Sequence, residues 1–164
     1  HGITKNKKDF INPSEGKWHY EMQDLGFNYR LTDFQAALGI TQLAKNQVGV
    51  KRRNEISSYY KKAFEGKVKF QDLPNGMYNA HHLFVIEVEN RKDLYDFLHS
   101  KGVLVQIHYI PVHKFPYYKK IGYADADLKN SENYYKNCIS LPMYPTLTNE
   151  EQSRIIKLII EFLN

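Results

Sequence analysis

A chain of 164 residues that is 42% hydrophobic can bury a core of its own, so a single domain is the default expectation. No apolar run approaches the roughly 18 residues that span a bilayer, no signal peptide is visible, and the lone Cys138 builds no disulfide framework; together these predict a soluble, cytoplasmic protein. The formal charge of +5 favours anionic partners, but the cationic residues from Lys5 to Lys8, Lys51 to Arg53, Lys61-Lys62 and Lys119-Lys120 are mostly interleaved with acids or aromatics and read as solvated faces, not as a binding stripe.

In chain order, residues 5–25 are polar and turn-rich, with Asn12-Pro13-Ser14-Glu15-Gly16 followed by Trp18, Tyr20 and Met22 alternating toward a core. Thr32 and Gln35 then have the spacing of a capping box, and Phe34, Ala37, Leu38 and Thr41 fall on one face of the helix it opens. Gly-Phe-Asn-Tyr-Arg (26–30) stands directly before that helix start, where backbone donors and the macrodipole favour an anion and Arg30 adds a bidentate fork. A capped turn without a ligand explains the same residues. Either two helices or one long bent helix follow, with the break near Asn46 to Gly49 and the stop at Gly66.

Beyond residue 66 strands and helices alternate. Val68-Lys69-Phe70 is a short strand, Leu73-Pro74-Asn75-Gly76 a turn and 82–88 the strongest strand; Asn90 caps a helix through Ser100, which Gly102 stops. Residues 103–109 return as a strand, with Gln106 and His108 on one face and Ile107 and Tyr109 on the other, and Pro111 ends it. A helix over 127–137 leads into the strand Ile139-Ser140-Leu141, and Thr148-Asn149-Glu150-Glu151 is a second capping box that opens an amphipathic last helix. The fold class this predicts is α/β in the broad sense: an α+β sandwich with a small, mostly antiparallel sheet and helices on one face. Cys138 has nothing beside it in sequence to lower its pKa and reads as a buried small hydrophobe. A metal site is not expected from His81, His82, His108 and His113, because adjacent histidines of a strand face opposite ways and Pro111 breaks any helical pairing. A basic, Tyr-rich chain with a small sheet could also serve a nucleic acid, but Tyr59-Tyr60, Tyr117-Tyr118 and Tyr134-Tyr135 are adjacent pairs, not alternating strand-face aromatics.

The run Gly26-Phe27-Asn28-Tyr29-Arg30 through Gln35-Ala36-Ala37, continued by Gln42-Leu43, Lys51-Arg52-Arg53 and a Tyr-rich helix, resembles the DegT/DnrJ/EryC1/StrS family of sugar aminotransferases. The form of Gln106-Ile107-His108-Tyr109, with Trp18-His19-Tyr20-Glu21, resembles the subgroup that aminates a UDP-linked 4-keto-6-deoxy-N-acetylhexosamine in pseudaminic acid synthesis. The resemblance implies an aspartate aminotransferase-like type I fold, a pyridoxal phosphate cofactor, a homodimer with a shared active site, a UDP-sugar substrate and an amino-acid donor, with neither nucleic acid nor membrane as partner. It places residues 1–30 in the tail of the large cofactor domain and its active-site loop, 31–65 in bridging helices and 66–164 in the small C-terminal domain. Asn28 and Arg30 would then be cofactor-binding, and Asn28, Gln106, Ile107, His108 and Tyr109 substrate-binding. The chain starts at His1 without Met, as though cut from something longer, and the Schiff-base lysine would lie upstream; the fragment alone is expected to be inactive. A non-catalytic regulator that keeps the aminotransferase fold is the remaining alternative.

Overall fold

The computed structural model describes residues 2–74, 76–123 and 127–164. His1 and Asn75, the second of which belongs to the turn expected at 73–76, lie outside them. The chain divides into two compact units, His1–Ala44 and Lys45–Asn164.

The first unit is built around one carboxylate. Strands β1 (Ile3–Thr4) and β2 (Glu21–Met22) pair antiparallel, Ile3 opposite Met22 and Thr4 opposite Glu21. The Glu21 side chain accepts the backbone N–H of Ile11 at 2.7 Å and of Asn12 at 2.8 Å, and Gln23 Nε2 at 2.9 Å, so it gathers the loop at 10–12 onto β2. Gly2 meets the other end of this ribbon: its carbonyl accepts from Gln23 N at 2.7 Å, its φ is +70°, and a Cβ there would run into the carbonyl of Asp24. The N–H donors, that of Ile11 foremost, hold the Glu21 carboxyl down to about 2. Because the bonded form is the ionised one, this hold is complete above the ordinary range near 4.5 and is lost as pH falls through about 2. Exchange protection of the Ile11 and Asn12 amides is therefore expected to persist at pH 5 and to disappear toward pH 2. Equal protection at both values would show that Glu21 does not hold the loop.

The expected inward alternation of Trp18, Tyr20 and Met22 is not realised. They are 71%, 56% and 59% exposed, and Phe34 and Leu38 of the next helix are exposed as well. The periodicity is present, but this unit has no second layer to cover the faces it defines.

Helix α1 (Asp33–Phe64) is one uninterrupted element, with no break at 46–49. At its start the Thr32 N–H donates to Gln35 Oε1 at 3.0 Å while Gln35 N donates to Thr32 Oγ1 at 3.3 Å, the reciprocal capping box its sequence predicts. Its C-terminal turns supply Ile56, Tyr60 and Phe64 to the core of the second unit, all fully buried.

That unit is a three-stranded antiparallel sheet in the order β3 (Lys69–Phe70), β4 (Phe84–Glu87), β5 (Cys138–Leu141). Phe70 faces Ile86, and Phe84, Val85, Ile86 and Glu87 face Leu141, Ser140, Ile139 and Cys138. Along β4 burial alternates with period two, Phe84 and Ile86 inward. Against them pack the end of α1, Leu94 and Leu98 of α2 (Arg91–Ser100), and Ile155, Ile156 and Ile159 of α5 (Asn149–Leu163). Each such side chain contributes about 1.5–3 kcal/mol by leaving water.

The helix ends follow sequence chemistry with one exception. Thr148 and Glu151 close their capping box on α5 at 2.9 and 3.1 Å. Gly102, at φ +74°, ends α2 in a Schellman arrangement: Gly102 N donates to His99 O at 2.9 Å and Val103 N to Leu98 O at 2.9 Å, with Val103 and Leu98 both buried. Asn90 stands at the N-cap of α2, but its side chain makes no capping bond, because its backbone (φ −91°, ψ 43°) is not the extended one a capping side chain requires. No helix of the described residues is long and apolar enough to cross a membrane.

Candidate functional site

The residues singled out by sequence fall in both units. In the first, Asn28 and Arg30 lie in the irregular segment between β2 and α1, and both are exposed. The rings of Phe27 and Tyr29 stack on one another, centroids 5.2 Å apart and 14° from parallel. The segment offers an exposed amide and an exposed guanidinium just ahead of the N-terminus of a 32-residue helix.

In the second unit, residues 103–109 do not form the strand expected of them. The alternation holds as far as Gln106, with Val103 and Val105 buried and Leu104 and Gln106 exposed, and then fails, Ile107 and His108 both being half-buried. One antiparallel bridge joins the segment to β5: Ser140 N donates to Gln106 O at 2.7 Å and Gln106 N to Ser140 O at 3.2 Å. In this register Leu104 would oppose Pro142, which has no N–H to give, so the pairing does not extend back toward Leu104. The Ile107 N–H turns instead to the Gln106 side chain, Oε1 at 3.1 Å. Gln106 and His108 consequently share a neighbour, Ser140, without the regular facing of a strand.

His108 is held at two points. Its Nδ1 lies 2.8 Å from Ser140 Oγ, and its ring meets the Tyr109 ring edge-on at 4.6 Å. Tyr109 itself is 69% exposed. The segment thus presents an amide, an imidazole and a phenol from a stretch of backbone that is fastened at one end only.

Other histidines have structural work. His113 follows in a 3₁₀ turn (Val112–Lys114) just ahead of the short helix α3 (Pro116–Tyr118); it is buried, with Nε2 2.8 Å from Glu132 Oε1, and Lys114 reaches Glu132 Oε2 at 3.1 Å. This hydrogen bond from His113, with that from Lys114 second, holds the Glu132 carboxyl below the usual carboxylate range and clips the turn to α4 (Lys129–Asn137). His81 is buried too, and burial lowers its pKa. Among the described residues no three His, Cys, Asp or Glu side chains are grouped to hold a metal. Cys138 is fully buried, and burial pushes its thiol up, in keeping with its reading as a small hydrophobe.

Two features escaped the sequence reading. Arg53, expected on a solvated face, donates from Nη1 to the carbonyls of Met143 (2.9 Å), His81 (3.2 Å) and His82 (3.4 Å), while Arg52 Nη2 reaches Leu147 O at 2.7 Å and Asn149 Oδ1 at 2.9 Å. A cleft of about 630 Å³ opens beside β4, lined by Lys61, Phe70, Asn79, His82 and Tyr134 among others, and contains none of residues 106–109. Nothing local in sequence marks either, since both join segments far apart in the chain.

The profile of the DegT/DnrJ/EryC1/StrS aminotransferase family matches residues 1–160. The chain belongs to this family. Among relatives of this chain, the spore coat polysaccharide biosynthesis protein SpsC of Bacillus subtilis is 34% identical over 168 residues, which is 96% of the chain and 43% of SpsC. The UDP-4-amino-4,6-dideoxy-N-acetyl-β-L-altrosamine transaminase of Campylobacter jejuni is 32% identical over 96% of the chain and 41% of its own length. In structure the chain is similar to Helicobacter pylori PseC, an aminotransferase involved in the biosynthesis of pseudoaminic acid, with a TM-score of 0.74 at 27% identity over 99% of the chain and 43% of PseC. The chain spans about two fifths of the length of the curated relatives it matches. The α+β unit with its small antiparallel sheet accordingly belongs to the type I aminotransferase fold.

Proposed function

We propose that this chain is the C-terminal part of a cytoplasmic, pyridoxal phosphate-dependent nucleotide-sugar aminotransferase that moves an amino group from glutamate to the C4 ketone of a UDP-linked 4-keto-6-deoxy-N-acetylhexosamine. The observation that carries the reading is the near-complete alignment of the chain, at 32% identity, with a transaminase named for a UDP-linked 4-amino-4,6-dideoxy sugar. On this reading residues 1–30 belong to the cofactor domain, 31–65 bridge, and 66–164 form the small domain.

The donor set at 28–30 fits the cofactor's phosphate. An exposed amide and an exposed guanidinium supply N–H groups of the kind a phosphate accepts. Asn28 and Arg30 would hold the phosphate of the cofactor belonging to the second subunit of a homodimer. Bound pyridoxal phosphate supplies an electron-withdrawing ring that lets an amino group pass between an amino acid and a ketone. The work of this chain is then orientation: Gln106 and His108 hydrogen-bond the sugar-nucleotide, the Ile107 side chain and the Tyr109 ring wall it, and Asn28 touches substrate beside the phosphate. The lysine that carries the cofactor is assigned to the rest of the protein.

Incubation of the full-length protein with glutamate and the UDP-4-keto-6-deoxy sugar tests this directly. Loss of the ketone with gain of a 4-amino group is expected, and the isolated chain supplied with pyridoxal phosphate should turn nothing over. A full-length protein that leaves the ketone intact would remove the substrate assignment, and turnover by the isolated chain would remove the placing of the lysine.

A further inference from the structure

Among the described residues, Ser140 is the one that hydrogen-bonds the 106–109 segment through both its backbone and its side chain. It is 4% exposed, its N–H and C=O are both committed to Gln106, and its Oγ has a single side-chain partner among the described residues, His108 Nδ1 at 2.8 Å. A buried hydroxyl hydrogen needs an acceptor, and two arrangements of this pair are open. If Nδ1 carried the imidazole proton it would donate to Oγ, and the Ser140 hydrogen would be left with no acceptor in reach. If the hydroxyl donates to Nδ1, both groups are satisfied and the imidazole proton sits on Nε2. The second arrangement wins, because an unmet buried donor costs about 1–3 kcal/mol.

The other ring nitrogen completes the picture. Nε2 of His108 has no hydrogen-bond partner among the described residues, and it is not among the buried unpartnered atoms, of which His19 Nε2 is the one found. A ring flip would forfeit the Ser140 bond. The Tyr109 ring, edge-on at 4.6 Å, stands beside the imidazole and limits the room for such a flip.

We propose that Ser140 is a positioning residue that fixes His108 as a neutral imidazole offering its Nε2–H to an acceptor oxygen, and that the oxygen belongs to the sugar-nucleotide, a point that rests on the function proposed above. Ser140 would never touch the ligand itself. It would act by setting which ring nitrogen donates and by holding the backbone at Gln106 in register.

The experiment is done on the full-length protein. In ¹⁵N-histidine spectra of the ligand-free enzyme at pH 8, His108, assigned by its loss in His108→Gln, should show a protonated Nε2 and a bare Nδ1. Ser140→Ala should abolish that fixed tautomer and raise KM for the UDP-sugar about tenfold, the scale of one hydrogen bond, with kcat little changed. In a His108→Gln background the same Ser140→Ala change should raise KM no further, whereas a merely structural role would add its full effect. A proton on Nδ1 of His108 in the wild type overturns the proposal without Ser140→Ala having to fold. An undiminished Ser140→Ala effect in the His108→Gln background overturns it as well. If the Nε2–H tautomer is found but the UDP-sugar is not turned over, the function fails and the claim that the ligand oxygen is the sugar-nucleotide's fails with it, while the Ser140 assignment of the tautomer stands.

Discussion

Arg53→Ala is expected to destabilise the unit Lys45–Asn164 by about 2–3 kcal/mol, and on urea denaturation this should appear as a lower midpoint at unchanged slope. One guanidinium nitrogen serves the carbonyls of His81, His82 and Met143, so the side chain ties the loop before β4 and the loop after β5 to the middle of α1. Removing it strands partly buried carbonyls and opens both loops. In a chain of this size, such a loss lowers the melting temperature by roughly 4–12 °C. Arg53→Lys should recover about half, because an ammonium is a point donor that cannot span the same carbonyls. A change within about 0.5 kcal/mol of wild type would place Arg53 among ordinary surface cations.

The second large effect concerns the cofactor. In the full-length protein Asn28→Ala is expected to weaken pyridoxal phosphate about tenfold, and Arg30→Ala by a similar or larger factor, since hydrogen bonds to a charged group contribute about 1.5–3 kcal/mol. Both side chains are exposed in the first unit, so neither change should move the denaturation midpoint of the second. Titration of the apoenzyme with the cofactor, followed by absorbance, reads the affinity. Unchanged affinity together with unchanged turnover would return residues 26–30 to the role of a capped turn.

Local rules carried the sequence reading as far as local physics reaches. Thr32 with Gln35 and Thr148 with Glu151 form the capping boxes their spacing implies, Gly66 and Gly102 take positive φ where a helix must stop, and β3 and β4 fall within the stretches read as β while β5 starts one residue before its own, at Cys138. These depend on groups three or four residues apart, or on one residue's backbone freedom. Failures came wherever a distant partner decides. Periodicity in Trp18, Tyr20 and Met22 names a face but not what covers it, and the faces of Phe34 and Leu38 stay in solvent for the same reason. Arg53 sits in a lysine- and arginine-rich helix and looks solvated until carbonyls 28 to 90 residues away come to meet it. The 103–109 segment has the composition of a strand, yet it pairs with β5 at Gln106 alone: Pro142 opposite Leu104 has no N–H, and the Ile107 N–H is taken by the Gln106 side chain.

The candidate site was legible in the same uneven way. Asn28, Arg30, Gln106, Ile107, His108 and Tyr109 were singled out as candidates through family resemblance, and the structure adds how each is presented. Ser140 was not found, because its link to His108 spans 32 residues and leaves no spacing to read.

The limits of that small sheet have a bearing on how the protein behaves in a crowded solution. Open strand edges invite another chain to add itself, and ribbons of such additions are how soluble proteins turn into aggregates. Here one edge, β3, is only two residues long and carries the exposed Lys69, while the other, β5, is occupied at Ser140 by Gln106 and ends where Pro142 can donate nothing. The irregular segment that spoils the fourth strand is thus also a cover: it occupies the edge at Ser140 against intruding strands while keeping the backbone from 107 onward out of the ladder.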